Sequence, residues 1–174
     1  FASDALSVGA LGDGEVEDYP FRITAPTDGT VDNFTKIGGG IGGGPTLADN
    51  DYFGESVAAL GDVDGDGVVD LAVGAKGDDT TFSSAGAVYV QFLNADGTVR
   101  SSTQIASGLN GGPTLGNFTY FGSSVAALGD LDGDGVPDLA VGAIRKDGAE
   151  SFKGAVHILF LKTDGTVKNS TRIA

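Results

Sequence analysis

Two stretches of the chain, DVDGDGVVD at 62–70 and DLDGDGVPD at 130–138, each set four aspartates among glycines. Carboxylates this close repel one another, so a loop of this composition is expected to stay open unless something positive holds it together. Calcium is the natural candidate, because it takes about six to eight hard oxygens at one point, and carboxylates at alternate positions of a tightly curled loop can converge there. Asp62, Asp64, Asp66 and Asp70 would supply the first set of oxygens, and Asp130, Asp132, Asp134 and Asp138 the second. Gly67 and Gly135 fall where the chain must turn sharply, which offers the carbonyls of Val68 and Val136 as a further ligand, with water completing the shell. The expectation is one Ca2+ for each complete loop, two in this chain, with the loop opening when the ion leaves.

Other readings fit less well. Magnesium demands a stricter octahedron and keeps several waters. Zinc prefers nitrogen or sulfur, and the single histidine, His157, is far along the sequence from either loop. An EF-hand loop also begins DxDxDG, but its twelfth position here holds Val73 or Val141 where a bidentate glutamate is needed, and the flanks VAALG and LAVGA are strand-like. A plain solvated acidic turn does not explain why all four aspartates return in register. A hydrolytic metal centre would need an open coordination position that four carboxylates and a carbonyl leave little room for. With no cysteine, and with His157 replaced by Tyr89 in the sister copy, no triad or repeated acid/base pair is evident, so no enzymatic activity is expected.

The surroundings of the loops agree with a cation partner. The formal net charge of −14 argues against nucleic acid or an anionic membrane surface. Absence of cysteine excludes disulfides and thiolate metal sites. No apolar run is long enough to span a bilayer, and the opening FASDALSVGA lacks both a starting methionine and a signal-peptide pattern, as expected of a mature or excised piece of something longer. Thirty glycines in 174 residues, with 40% hydrophobic content, favour short strands and tight turns around a buried core.

What positions the loops is a repeat of 68 residues. Tyr52-Phe53-Gly54 returns at Tyr120-Phe121-Gly122, SVAALGD at 56–62 returns at 124–130, and DLAVGA at 70–75 returns at 138–143. Residues 52–106 and 120–174 are identical at 36 of 55 positions without a gap. Differences gather at 76–85 against 144–153, and along the strand that follows, which suggests a variable, solvated connector and then an edge strand with one wet face. Within each copy SVAAL and LAVGA are short apolar runs bounded by Gly and Asp, AVYVQFL and AVHILFL are β-branched and aromatic, and Asp-Gly at 96–97 or 164–165 signals a hairpin. The pattern predicts four short strands per unit and an all-β class.

The glycine run IGGGIGGGP at 37–45 keeps its length and its GGP ending in IASGLNGGP at 105–113, so a structured turn is favoured over a flexible linker. Residues 1–50 read as a partial or degenerate copy, 51–118 as one repeat, and 119–174 as a second, truncated at its end.

The order Phe-Gly, SVAALGD, DxDGDG, DLAVGA and Gly-Ala-Val resembles the FG-GAP repeat of integrin alpha subunits and of many bacterial surface proteins. The resemblance covers Tyr52–Ala106 and Tyr120–Ala174. It implies a four-stranded antiparallel, propeller-blade-like sheet for each repeat, with calcium bound by the aspartate loop between the first two strands. DGEVEDYPFRI at 13–23 is similar to the end of the bacterial GEVED module, which would make residues 1–25 the tail of a preceding domain; a degenerate repeat remains the other reading. A closed propeller needs roughly four to eight blades, more than this chain holds, and near-identical units suit an open array.

The function expected from these features is a calcium-stabilised extracellular structural or adhesive protein, secreted or at a cell surface, in a fibre or array. Its partners would be other copies of itself or neighbouring repeats, in a homopolymer that could grow by pairing of exposed strand edges. The alternative is a piece of a closed integrin-like propeller that binds protein or polysaccharide ligands. Asn33, Asn117 and Asn169 each begin an N-x-[ST] sequence that permits glycosylation in a suitable host.

Overall fold

The computed structural model describes residues 34–144 and 153–174, and Thr35–Ala174 form one compact unit. The readings that fall on residues 1–33, including the GEVED resemblance and Asn33, lie outside the described residues, as does most of the second connector.

Eight strands follow in order: β1 Phe53–Gly61, β2 Asp70–Ala75, β3 Ala87–Leu93, β4 Val99–Ile105, β5 Phe121–Gly129, β6 Asp138–Ala143, β7 Ala155–Leu161 and β8 Val167–Ile173. They form two four-stranded antiparallel sheets in the orders β1-β2-β3-β4 and β5-β6-β7-β8. Among the described residues there is no helix and no closed barrel. The registers repeat between copies: Val57 pairs Val73 as Val125 pairs Val141, and Leu71 pairs Gln91 as Leu139 pairs Leu159. The hairpin between β3 and β4 closes on Asn94, whose N–H donates to the Thr98 carbonyl at 2.8 Å, with Gly97 at φ 80°.

Side chains alternate across a strand, so each sheet has two faces to bury. One face of the first sheet carries Ala72, Val88, Val90, Phe92 and Ile105, and it packs onto Phe121, Leu139, Val141, Leu159 and Leu161 of the second sheet in a single core. The other face of the first sheet carries Ala75, Ala87 and Tyr89, over which Leu47, Phe53 and Leu109 lie. The residues that Val88 and Ile105 correspond to in the second copy are Val156 and Ile173, which remain outside the core. The two sheets therefore meet through unlike faces, as head-to-tail neighbours do.

The junction is close because glycines remove side chains from it. A Cβ on Gly74 would meet the Gly122 carbonyl at 2.0 Å, and one on Gly86 would meet the Phe121 carbonyl at 2.1 Å. Phe121 N–H donates to the Ala85 carbonyl at 2.9 Å and Ser56 Oγ to the Gly122 carbonyl at 2.8 Å. The Phe-Gly step of one repeat is thus seated on the Gly-Ala step of the repeat before it.

Two sequence expectations are corrected here. Residues 76–85 are a solvated connector only in part: Asp79, Thr80, Phe82 and Ser83 are exposed, but the Ser83 and Ser84 carbonyls accept from Phe118 N–H and Tyr120 N–H, and Asp78 is buried under Tyr89 Oη at 2.8 Å. Nor is β3 an edge with a wet face, since it lies between β2 and β4 and is buried from Ala87 through Phe92. The glycine run at 37–45 is a structured turn, bridged from Gly38 to Ile41, and its Gly42 carbonyl accepts Val99 N–H at 2.8 Å. The second copy does the same, with the Asn110 carbonyl accepting Val167 N–H at 2.9 Å.

Candidate metal centre

Each aspartate loop joins the first two strands of its sheet, β1 to β2 and β5 to β6. Its first residue shapes it. Asp62 Oδ1 accepts N–H groups from Gly65 at 2.7 Å and Asp66 at 3.0 Å, while Oδ2 accepts Gly67 N–H at 2.8 Å. Asp130 repeats this with Gly133, Asp134 and Gly135 at 2.7, 3.0 and 2.8 Å. Such a curl needs positive φ, and Gly65 and Gly67 supply it at 81° and 86°.

The last residue of the loop ties it to the sheet. Asp70 is fully buried and bridges Val63 N–H at 3.0 Å and Leu93 N–H, at the end of β3, also at 3.0 Å. Asp138 does likewise with Leu131 at 2.9 Å and Leu161 at 3.1 Å. Burial pushes the Asp70 carboxyl above the ordinary carboxylate range, against the pull of its two backbone donors.

Of the residues expected as ligands, Asp62, Asp64 and Asp70 each bring a carboxylate oxygen within 4.8 Å of the others, as do Asp130, Asp132 and Asp138. Asp66 and Asp134 stand beside these groups. Asp66 Oδ1 accepts Val68 N–H at 2.8 Å and Asp134 Oδ1 accepts Val136 N–H at 3.0 Å, so Val68 and Val136 enter the loops through their amides. Asp64 Oδ1 is closed off from solvent and has no hydrogen-bond partner in the fold. A buried carboxylate oxygen left unpaired is costly, and a hard cation is the kind of group that would satisfy it.

Sequence reasoning missed two residues. Arg100, on β4, ion-pairs with Asp64 and Asp66, and Lys168, at the same place on β8, ion-pairs with Asp132 at 2.8 Å and with Asp134. Part of the positive charge sought outside the chain is thus supplied from within it. The Val68 amide, reinforced by Arg100, holds the Asp66 carboxyl below its ordinary range; Lys168, reinforced by the Val136 amide, does so for Asp134. The hint available in the sequence was that positions 100 and 168 are both basic, in a chain with ten Lys and Arg against 24 Asp and Glu.

His157 is buried, with its ring edge-on to Phe121 at 5.5 Å, as Tyr89 is to Phe53 at 5.5 Å in the first sheet. Its position is that of a packing residue at the junction between sheets.

Stacked blade-like sheets, each with an oxygen-rich loop between its first two strands, define a tandem β-repeat protein. The chain carries two FG-GAP repeats, matched by that family's model at residues 53–90 and 121–159. Among curated relatives, it is 42% identical to integrin alpha pat-2 of Caenorhabditis elegans over 97 residues, 56% of this chain and 8% of the relative. It is 36% identical to integrin alpha-4 of Xenopus laevis over 123 residues, 68% of this chain and 11% of the relative. With integrin alpha-2 of Mus musculus it shares 32% over 146 residues, 82% of this chain and 12% of the relative. The chain therefore spans only about a tenth of the length of these relatives.

Proposed function

We propose that this chain is a calcium-stabilised, extracellular structural or adhesive module, secreted or at a cell surface, whose repeats at 51–118 and 119–174 belong to a fibre or array. The observation that carries the reading is the unpaired, buried Asp64 Oδ1 within a grouping of three carboxylates that the second repeat reproduces. Asp62, Asp64, Asp66 and Asp70, with the Val68 carbonyl, would hold one ion, and Asp130, Asp132, Asp134, Asp138 and the Val136 carbonyl the other. The ion supplies charge neutralisation and cross-links the loop. The chain's own groups do the rest: Asp62 curls the loop, and Asp70 locks it to the end of β3. The role is structural, which accords with a histidine packed into the core and with acidic groups tied down by backbone amides.

A second reading, part of a closed propeller that binds protein or polysaccharide ligands, draws support from the likeness to integrin alpha chains and from the head-to-tail stacking of the sheets.

Calorimetric titration with calcium and with magnesium, after EGTA, tests the metal assignment. The expected result is two calcium sites with dissociation constants of about 0.1–1 mM, the range of extracellular modules, and a weaker magnesium response. At a hundredfold excess over the dissociation constant each ion would add about 2.7 kcal/mol to stability. A melting temperature indifferent to calcium, or a heat of binding that survives Asp64→Asn with Asp132→Asn, would overturn it.

A further inference from the structure

The first repeat buries a pair of carboxylates away from its aspartate loop. Asp51, in the segment entering β1, is 5% exposed, and Asp78, in the loop from β2 to β3, is 2% exposed. Gly77 N–H donates to the Asp51 carbonyl at 3.0 Å and so joins the two segments. Their side chains are unequally supplied with donors. Asp78 accepts from Thr80 N–H at 3.0 Å, Tyr89 Oη at 2.8 Å and Gln104 Nε2 at 2.8 Å, whereas Asp51 accepts from Ala48 N–H alone, at 2.7 Å, among the described residues. The groups around Asp51 offer no compensating charge: Asp49 lies in its own segment, Asp78 and Asp79 in the facing loop, and on β3 the Tyr89 phenol is kept neutral by burial. The base of the facing loop, Lys76, is ion-paired with Glu55. Burial raises the Asp51 carboxyl above the ordinary carboxylate range against the pull of the Ala48 amide, and the charges of Asp78, Asp79 and Asp49 add to the rise.

From this arrangement we propose that Asp51 and Asp78 form a proton-operated latch between the segment entering β1 and the loop from β2 to β3, closed when Asp51 is neutral and loosened when both carboxylates are charged. The latch bears on the junction between repeats. Asp78 closes the loop at its base, with its N–H donating to the Ala75 carbonyl at 3.1 Å and its carbonyl accepting Gly86 N–H at 3.0 Å. Between those points the loop carries the Ser83, Ser84 and Ala85 carbonyls that receive Phe118, Tyr120 and Phe121 N–H of the next repeat. A change at Asp78 is therefore felt where the second sheet is seated. The second repeat has a proton-insensitive version: Thr119 stands in the place of Asp51, buried, and its hydroxyl accepts Gly116 N–H at 3.2 Å. A carboxyl raised in the folded state contributes stability that is complete below its ordinary value of 3.8 and is lost as pH rises through the folded one. Mild acid thus tightens the first junction, independently of the ion in the aspartate loops.

Carbon NMR of the carboxyls during a pH titration of the whole chain reads Asp51 directly, and it is expected to titrate above 3.8. Hydrogen exchange, corrected for the intrinsic rate at each pH, should show the Phe118, Tyr120 and Phe121 amides of wild type becoming better protected as pH falls from 7 to about 4. Asp51→Asn is neutral at every pH and should reach that protection already at pH 7. Its melting temperature should exceed wild type there by on the order of a few degrees and meet it near about pH 4. Asp51→Thr copies the second repeat and keeps an acceptor for Ala48 N–H, so it should fold and be equally flat with pH. The heat of calcium binding should be the same in both variants as in wild type, which separates the latch from the metal assignment. An Asp51 carboxyl that titrates at or below 3.8 overturns the proposal, and so does protection that follows pH in the variants as it does in wild type. Loss of calcium binding in either variant would make Asp51 part of the metal centre and overturn it as well.

Discussion

Arg100 on β4 and Asp64 in the loop between β1 and β2, 36 residues apart, are ion-paired, and the same guanidinium reaches Asp66 at 2.5 Å. Lys168 repeats the arrangement on Asp132 and Asp134. A divalent ion and a basic side chain are thus drawn to the same negative charge, one from solvent and the other tethered to the sheet. Replacing both bases, Arg100→Gln with Lys168→Gln, is expected to lower the melting temperature in EGTA and to tighten calcium binding several-fold, because the ion no longer has to displace a competitor. Calorimetry at fixed ionic strength reads the affinity. A loss of affinity instead would mean that the bases hold the carboxylates in a binding geometry.

Asp70 and Asp138 tie the loops to their sheets. Each is fully buried and accepts two backbone N–H groups, one from its loop and one from the third strand of its sheet. Asp70→Ala strands both donors, at roughly 1–3 kcal/mol each. Urea unfolding in EGTA should accordingly show a loss of about 2–5 kcal/mol. Asp70→Asn keeps an acceptor and should lose less. Both variants should lose calcium stabilisation of the first loop, so a variant that unfolds early yet still responds fully to calcium at two sites would remove Asp70 from the ligand set.

Acid sensitivity should trace in part to the hairpin turns. The Thr98 hydroxyl, at 2.6 Å, and then the Thr98 amide, at 2.9 Å, lower the Asp96 carboxyl from its ordinary value of 3.8, and Thr166 does the same for Asp164. A carboxyl whose folded value is depressed contributes stability that is complete above the ordinary value and is lost as pH falls through the folded one. The gap in melting temperature between wild type and Asp96→Asn with Asp164→Asn should therefore be widest above about pH 4 and shrink below it. Melts in EGTA from pH 2 to 7 check this, and a gap that widens in acid would contradict the assignment.

How far the fold was legible follows from where its information lies. The strands were readable because SVAAL, LAVGA and AVYVQFL are apolar runs punctuated by Gly and Asp, and the loops because their aspartates return in register. The connector at 76–85 was read only in part because its own contribution to the contact with the next repeat is backbone, the carbonyls of Ser83, Ser84 and Ala85 and the Ser83 N–H, which carry no residue signature. β3 was misread as a wet edge because Tyr89, Val90 and Gln91 differ from His157, Ile158 and Leu159; Tyr89, Val90 and Gln91 are all buried, and the exchange is one of packing shapes. Arg100 and Lys168 act across more than thirty residues of chain, a distance at which only the antiparallel register brings β4 beside the loop.

The repeated Phe-Gly step separates packing within a sheet from packing between sheets. Phe121 is fully buried, edge-on to His157, with its N–H on the Ala85 carbonyl and its carbonyl against Gly86. Phe53 occupies the same place in its own sheet and packs on Tyr89, yet it is only half-buried. Phe121→Ala should cost about 3–5 kcal/mol, as for a buried aromatic that leaves a cavity, and Phe53→Ala about half of that. The distinguishing effect is one of coupling. Hydrogen exchange in Phe121→Ala should accelerate in β2 as well as in β5, because the lost ring belongs to the core the two sheets share. In Phe53→Ala acceleration should stay within the first sheet. Exchange that rises only in β5 after Phe121→Ala would mean that the sheets are held together by their backbone contacts at Gly74 and Gly86, with the ring contributing to its own sheet alone.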